Sequence, residues 1–215
     1  MIPAADVHTK NNAKIIFSTL QVVGQHYYYR NSGINKIYFL NIPKNASEFI
    51  SNSLRFVDNL SPTPKSFCII RDPLERFVSI FKYMVNVEER FDDFFESLFV
   101  KKNLLNADYI RVGVEHLMPQ RFFVDNAPTE WKKNCQLITM EDFFGDGADD
   151  GFEKVGLSPK IKIPSDKINQ SDYGDSYKKW LVKEIYSKYS EVFDEYLEQD
   201  YELYEQAKNN SVLFG

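Results

Sequence analysis

Cysteine is scarce in this chain: Cys68 lies inside an apolar run and Cys135 begins another. That usage excludes a disulfide scaffold and favours an intracellular chain with two reduced core thiols, a bond between them being the alternative. An excess of positive charge is also missing. With 26 Lys and Arg against 31 Asp and Glu, the formal net charge is −5, which excludes a protein that coats nucleic acid. No run approaches the ~18 apolar residues of a membrane span. The start, Met-Ile-Pro-Ala-Ala-Asp, has no basic segment followed by an apolar one, so the expectation is a cytoplasmic chain without signal peptide or anchor, unless a longer precursor has lost one. The glycine-rich G-x-x-x-x-G-K-[ST] signature of nucleotide kinases is absent. There is no Cys/His cluster or paired carboxylate at metal-ligand spacing, so no metal is expected.

What is present is a foldable core. At 215 residues with 43% hydrophobic and 15% aromatic content, the chain is long enough for one α/β domain over residues 1–215 and is not disordered. Its most informative stretch runs from Lys36 to Phe49. Ile37–Leu40 has the length and the β-branched and aromatic content of a buried strand. A turn at Asn41-Ile42-Pro43 follows, carrying Lys44, Asn45 and Ser47. From Ser47, a helix is predicted by Phe49, Ile50, Ser53, Leu54 and Val57. Strand, tight turn with a lysine and hydroxyl at a helix start together make a phosphate cradle, because the first helical N–H groups and the helix dipole favour an anion.

A second strand is predicted at Phe67–Ile70 and ends at Arg71-Asp72-Pro73. Asp72 suits an N-cap, Pro73 the first helical position and Glu75 a capping box. The helix beyond places Leu74, Phe77, Val78 and Phe81 on one face, with Arg76, Ser79 and Tyr83 toward another. Helices are also expected at Phe91–Lys102 and Ala107–Glu115, interrupted by His116-Leu-Met-Pro119-Gln120, since Pro119 biases Met118 out of the α region. Cys135–Thr139 reads as a third strand. Residues 145–151, acidic and glycine-rich, read as a solvated surface loop without the ligand spacing of a calcium site. Ile15–Val23 is either a strand or a short helix. Residues from Ser176 to about Gln206 read as one bent or two straight helices, with Ile185, Tyr189, Phe193, Leu197 and Tyr201 in a stripe and an acidic outer face.

Ile42-Pro43-Lys44-Asn45-Ala46-Ser47 and Ile70-Arg71-Asp72-Pro73-Leu74-Glu75-Arg76-Phe77-Val78-Ser79 together resemble the two cofactor motifs of the sulfotransferase superfamily. His116-Leu-Met-Pro119-Gln120 resembles the His-x-x-Pro-Gln segment of its Golgi-type carbohydrate branch, and Asn169-Gln170-Ser171 also fits that branch. The likeness spans roughly residues 36 to 204. It implies a three-layer α/β sandwich around a mostly parallel sheet, akin to P-loop nucleotide-binding folds. The donor it implies is 3′-phosphoadenosine 5′-phosphosulfate (PAPS), leaving adenosine 3′,5′-bisphosphate (PAP) as product, with a carbohydrate hydroxyl as acceptor. The chain's shortness and its lack of an anchor resemble a bacterial or viral member. Two departures stand out: Asn45-Ala46 replaces a pair that is often Gly or small, and Glu48 stands where a second hydroxyl is common.

The resemblance implies cofactor-binding roles for Lys44, Asn45, Ala46, Ser47, Phe49, Arg71 and Ser79. Lys44 and Ser47 would hold the 5′ end, with Lys44 also stabilising the leaving oxygen. Arg71 and Ser79 would hold the 3′-phosphate. Phe49 would lie against the adenine or else pack in the core, and Arg76 makes a structural ion pair or touches ligand. A general base is needed for the acceptor hydroxyl, and His116 is the first candidate, since the unperturbed pKa of an imidazole, near 6.5, suits the task. Glu48 is its rival. Two other readings remain open, a P-loop-type nucleotide or small-molecule kinase and a non-catalytic nucleotide-binding protein. Acceptor and oligomeric state are not readable.

Overall fold

The computed structural model describes residues 32–34, 36–88, 116, 118–163, 187–209 and 212–213. The segments expected at Ile15–Val23, Phe91–Lys102, Ala107–Glu115 and Asn169–Ser171 lie outside the described residues, as do residues 176–186 of the late helical stretch. Contacts divide the chain into two compact units. Among the described residues, one unit holds 32–34, 36–73, 120–163, 200–209 and 212–213, and the other 74–88, 116, 118–119 and 187–199.

The first unit is built on a five-stranded sheet. Its strands are β1 (Ser32–Ile34), β2 (Ile37–Leu40), β4 (Lys65–Ile70), β5 (Cys135–Thr139) and β7 (Val212–Leu213), in the order β1-β2-β4-β5-β7. A separate two-stranded ribbon pairs β3 (Val57–Asp58) with β6 (Ser158–Pro159). The three central strands are parallel, with Leu40 beside Cys68 and Ile70 beside Thr139. Both edges are antiparallel. Together with the helices, this is an α/β architecture. Ser66 to Ile70 are buried without a break, the pattern of a parallel strand covered on both faces. The strands expected at Ile37–Leu40 and Cys135–Thr139 form with those bounds, and the one expected at Phe67–Ile70 begins two residues earlier.

Helix α1 (Ser47–Ser53) follows β2. It ends earlier than predicted: Leu54–Phe56 is a 3-10 turn and Val57 enters β3. One face of the sheet carries an aromatic core. Phe67 lies parallel to Phe143 with ring centroids 6.3 Å apart, and Phe152 meets Phe143 edge-on at 5.1 Å. Ile50, Leu54, Val155 and Leu157 complete it. At the other face Tyr38 of β2 stacks on Trp131 at 4.6 Å, and Ser66 Oγ of β4 donates to the Trp131 carbonyl. Trp131 belongs to α4 (Thr129–Lys132), which follows α3 (Gln120–Asp125).

The acidic, glycine-rich segment differs from expectation. After α5 (Met140–Phe144), residues 148–151 open a helix, α6 (Ala148–Lys154), that buries Ala148, Gly151 and Phe152. Asp149 and Asp150 sit in its first turn, where the positive end of the dipole favours them. Gly151 is there because α6 crosses the end of α5 closely: a Cβ at that position would stand 2.2 Å from the Phe143 carbonyl oxygen.

The helix α2 (Pro73–Glu88), in the second unit from Leu74 on, buries Phe77, Val78 and Ile80. Arg76, placed by sequence on a different face from Phe77 and Val78, is buried as well. Its Nη1 donates to the Met118 carbonyl at 2.9 Å and its Nη2 to the His116 carbonyl at 3.0 Å. These carbonyls lie where Pro119, lacking an N–H, breaks any helical ladder, and a guanidinium fork satisfies both. The helix α7 (Ser187–Lys208) has residues in both units. Among its described side chains, Leu197, Asp200, Leu203 and Ala207 are buried and Tyr201 is half-buried.

Candidate functional site

The site begins where β2 and β4 end side by side. Beyond β2, Asn45 N–H donates to the Ile42 carbonyl at 3.1 Å, closing a tight turn over Pro43 and Lys44. Lys44 and Ala46 both take the left-handed backbone conformation, with φ of 68° and 58°. Neither is glycine, so each costs roughly 1–2 kcal/mol that the surrounding fold must overcome. Ala46 is also the N-cap of α1, and no side chain caps the helix. Ser47 is therefore its first helical residue rather than its cap, and its hydroxyl donates to the Ile42 carbonyl at 2.5 Å.

Arg71 follows the last residue of β4. Its Nη1 donates to the Lys44 carbonyl at 3.2 Å. The lysine loop and the arginine are thus in contact across two neighbouring parallel strands, as the sequence predicts for carboxyl ends of one sheet. Both residues are half-buried.

The other predicted residues divide sharply. Asn45 is fully buried. Its Nδ2 donates to the Ile69 carbonyl at 2.8 Å and to Gln120 Oε1 at 2.6 Å, and its N–H closes the turn. Its donors therefore serve the fold of the loop. Phe49 is in the core, edge-on to Phe144 at 5.4 Å, which is the packing alternative of the two expected. Glu48 is exposed in the first turn of α1. Ser79 is half-buried within α2, and His116 is half-buried with its carbonyl held by Arg76.

Three residues of this region were given no role by sequence. Gln120 is fully buried and bonds both Asn45 and the backbone of Arg71. Asp200, also fully buried, accepts from the N–H groups of Gln120 and Arg121, each at 2.8 Å. Tyr204 stands beyond the ends of β4 and β5, its hydroxyl 3.4 Å from Glu141 Oε2. Burial, then the carboxylates of Glu141 and Asp72, push its phenol up to about 12, so at neutral pH it is a neutral hydroxyl. Only Gln120 carried a local hint, its place after His116 and Pro119. No group of three or more His, Cys, Asp or Glu side chains suited to a metal occurs among the described residues, and no described helix is long and apolar enough to cross a membrane.

Compared with models of protein families, with curated proteins and with solved structures, the chain matches none.

Proposed function

We propose that the chain is a sulfotransferase that moves a sulfuryl group from PAPS to an acceptor hydroxyl, on a carbohydrate, within a sulfotransferase-type three-layer fold. The observation that carries this reading is the contact between Arg71 Nη1 and the Lys44 carbonyl at 3.2 Å. It brings an ammonium-bearing loop and a guanidinium together at adjacent strand ends, where open α/β sheets gather ligands. A lysine-bearing loop and an arginine at neighbouring strand ends, on a chain of net charge −5, support a local site for a ligand charged at both ends.

In this reading Lys44 binds the 5′-phosphate. As the bond from sulfur to the bridging oxygen breaks, its ammonium stabilises the negative charge left on that oxygen, a contribution of the kind that dominates many enzymes. The acceptor oxygen forms the new bond to sulfur from the opposite side, and its proton passes to a base. The sequence offers His116 first and Glu48 second as candidates for that base. Arg71 binds the 3′-phosphate through its planar fork, and the sequence motif offers Ser79 as a further donor. Ser47 joins as a donor only by leaving the Ile42 carbonyl, whereas Asn45 and Ala46 contribute the shape of the loop.

PAP without magnesium should stabilise the protein against heat, while ATP with or without magnesium should not. Stabilisation by magnesium-ATP alone would favour the kinase reading, and PAP binding without transfer to any of a panel of glycans would favour a non-catalytic nucleotide-binding protein. For the catalytic role, Lys44→Ala should lower turnover by about 10²-fold or more with an unchanged circular dichroism spectrum. Near-normal turnover would refute it. Arg71→Lys should weaken PAP by about tenfold, because a two-pronged fork becomes a point charge.

A further inference from the structure

β2 makes its last register pair between Leu40 and Cys68 and then turns away, while β4 continues to Ile70. Two side-chain amides take over the pairing beyond that point. Asn45 Nδ2 donates to the Ile69 carbonyl at 2.8 Å. Gln120 brackets Arg71: its Oε1 accepts from the Arg71 N–H at 2.9 Å and its Nε2 donates to the Arg71 carbonyl at 2.8 Å. The same Oε1 accepts from Asn45 at 2.6 Å. These partners fix both amide orientations, since Asn45 faces two acceptors and Gln120 faces one donor and one acceptor of Arg71. Asn45 Oδ1 is left buried with no partner. A loop that tolerates an orphaned acceptor is held there by the rest of the network. Gln120 is anchored in turn, because both oxygens of Asp200 accept from the backbone at Gln120 and Arg121.

We propose that Gln120 is a positioning residue that sets the spacing between the Lys44 loop and Arg71, acting as a clamp across the two strand ends. Its relevance to a ligand rests on the reading of Lys44 and Arg71 as one anion site; the clamp itself does not. Gln120 touches no reacting atom. It acts by joining Asn45, next in the chain to Lys44, to the backbone that carries the arginine.

Gln120→Glu is the discriminating variant. A protonated Glu keeps one acceptor and one donor, so it can bracket Arg71 as Gln does. An ionised Glu turns a second acceptor on the Arg71 carbonyl. Burial and that carbonyl both raise its pKa, so the variant should be clamped at low pH and unclamped at high pH. With PAP as probe, Gln120→Glu should bind about tenfold or more weakly than the parent protein at pH 8, and the ratio should close toward one near pH 5.5. Taking the ratio at each pH removes the titration of the phosphates themselves. A merely structural substitution would lower affinity by the same factor at both values, and that result would overturn the proposal.

A second measurement needs no ligand and no variant. In the parent protein the Arg71 amide should exchange with deuterium as slowly as the interior amides of β4; fast exchange would remove the clamp. Slow exchange at Arg71 with no PAP binding would instead overturn the anion-site reading and leave the clamp standing.

Discussion

Ala46 is partly buried against the aromatic core and carries a left-handed backbone conformation with φ of 58°. Glycine reaches that conformation without steric cost but adds freedom to the unfolded chain, whereas a β-branched residue meets a severe clash. Ala46→Gly should therefore leave stability unchanged or raise it by up to about 1 kcal/mol, and Ala46→Val should lower it by about 2 kcal/mol. Urea unfolding of the pair checks the ordering. The two thiols give another test. Burial pushes Cys135 up to about 12, a hydrogen bond with Ser66 opposing the shift, and burial likewise raises Cys68, with Cys135 adding to it. Both thiols are free, and they should resist a thiol reagent at pH 8 until the protein is unfolded. The linkage sign follows directly. Above the unfolded thiol pKa the unfolded chain releases protons that the folded chain keeps, so stability should be full below about pH 8.5 and fall as pH rises beyond it.

At the level of elements, α6 approaches α5 closely at Gly151. Gly151→Ala would push a methyl group into the Phe143 carbonyl, 2.2 Å from the ideal Cβ position, and backbone cannot swing aside as a side chain can. A loss of about 2–3 kcal/mol is expected, while Glu153→Ala, exposed on the same helix, should change stability by less than about 0.5 kcal/mol. Thermal unfolding of the two variants separates them. The same helix shows what sequence pattern conveys and what it does not. β2, β4 and β5 are readable because burial on both faces demands short apolar runs with little competing pattern. α6 is not, since its Gly and Asp residues are individually turn formers and only packing against Phe143 makes them helical. The site divides in the same way. Lys44 and Arg71 stand out as charged residues at strand ends. Gln120 and Asp200 do not, for their bonds join residues 49 to 80 positions apart, and such contacts leave no periodicity.

For the molecule as a whole, the two units interleave along the chain, each assembled from separate segments. No linker marks the division because none is needed, and composition therefore gives no sign of it. The ligand test can be scaled at this level. A ligand at 100 times its Kd adds about 2.7 kcal/mol to the stability of the species that binds it. For a chain of 215 residues unfolding in one step, each kcal/mol is worth about 2–4 °C. PAP at that excess should then raise Tm by about 5–10 °C, and Lys44→Ala or Arg71→Lys should reduce the rise at the same concentration.

Trp131 rests its ring on Tyr38 of β2 and offers its carbonyl to Ser66 of β4, so it touches both strands that end in the proposed cations. Only one other tryptophan, Trp180, exists in the chain. With Trp180→Phe, the intrinsic fluorescence would come from a single indole seated on those strands. A red shift in its emission would then report their parting, with no label attached.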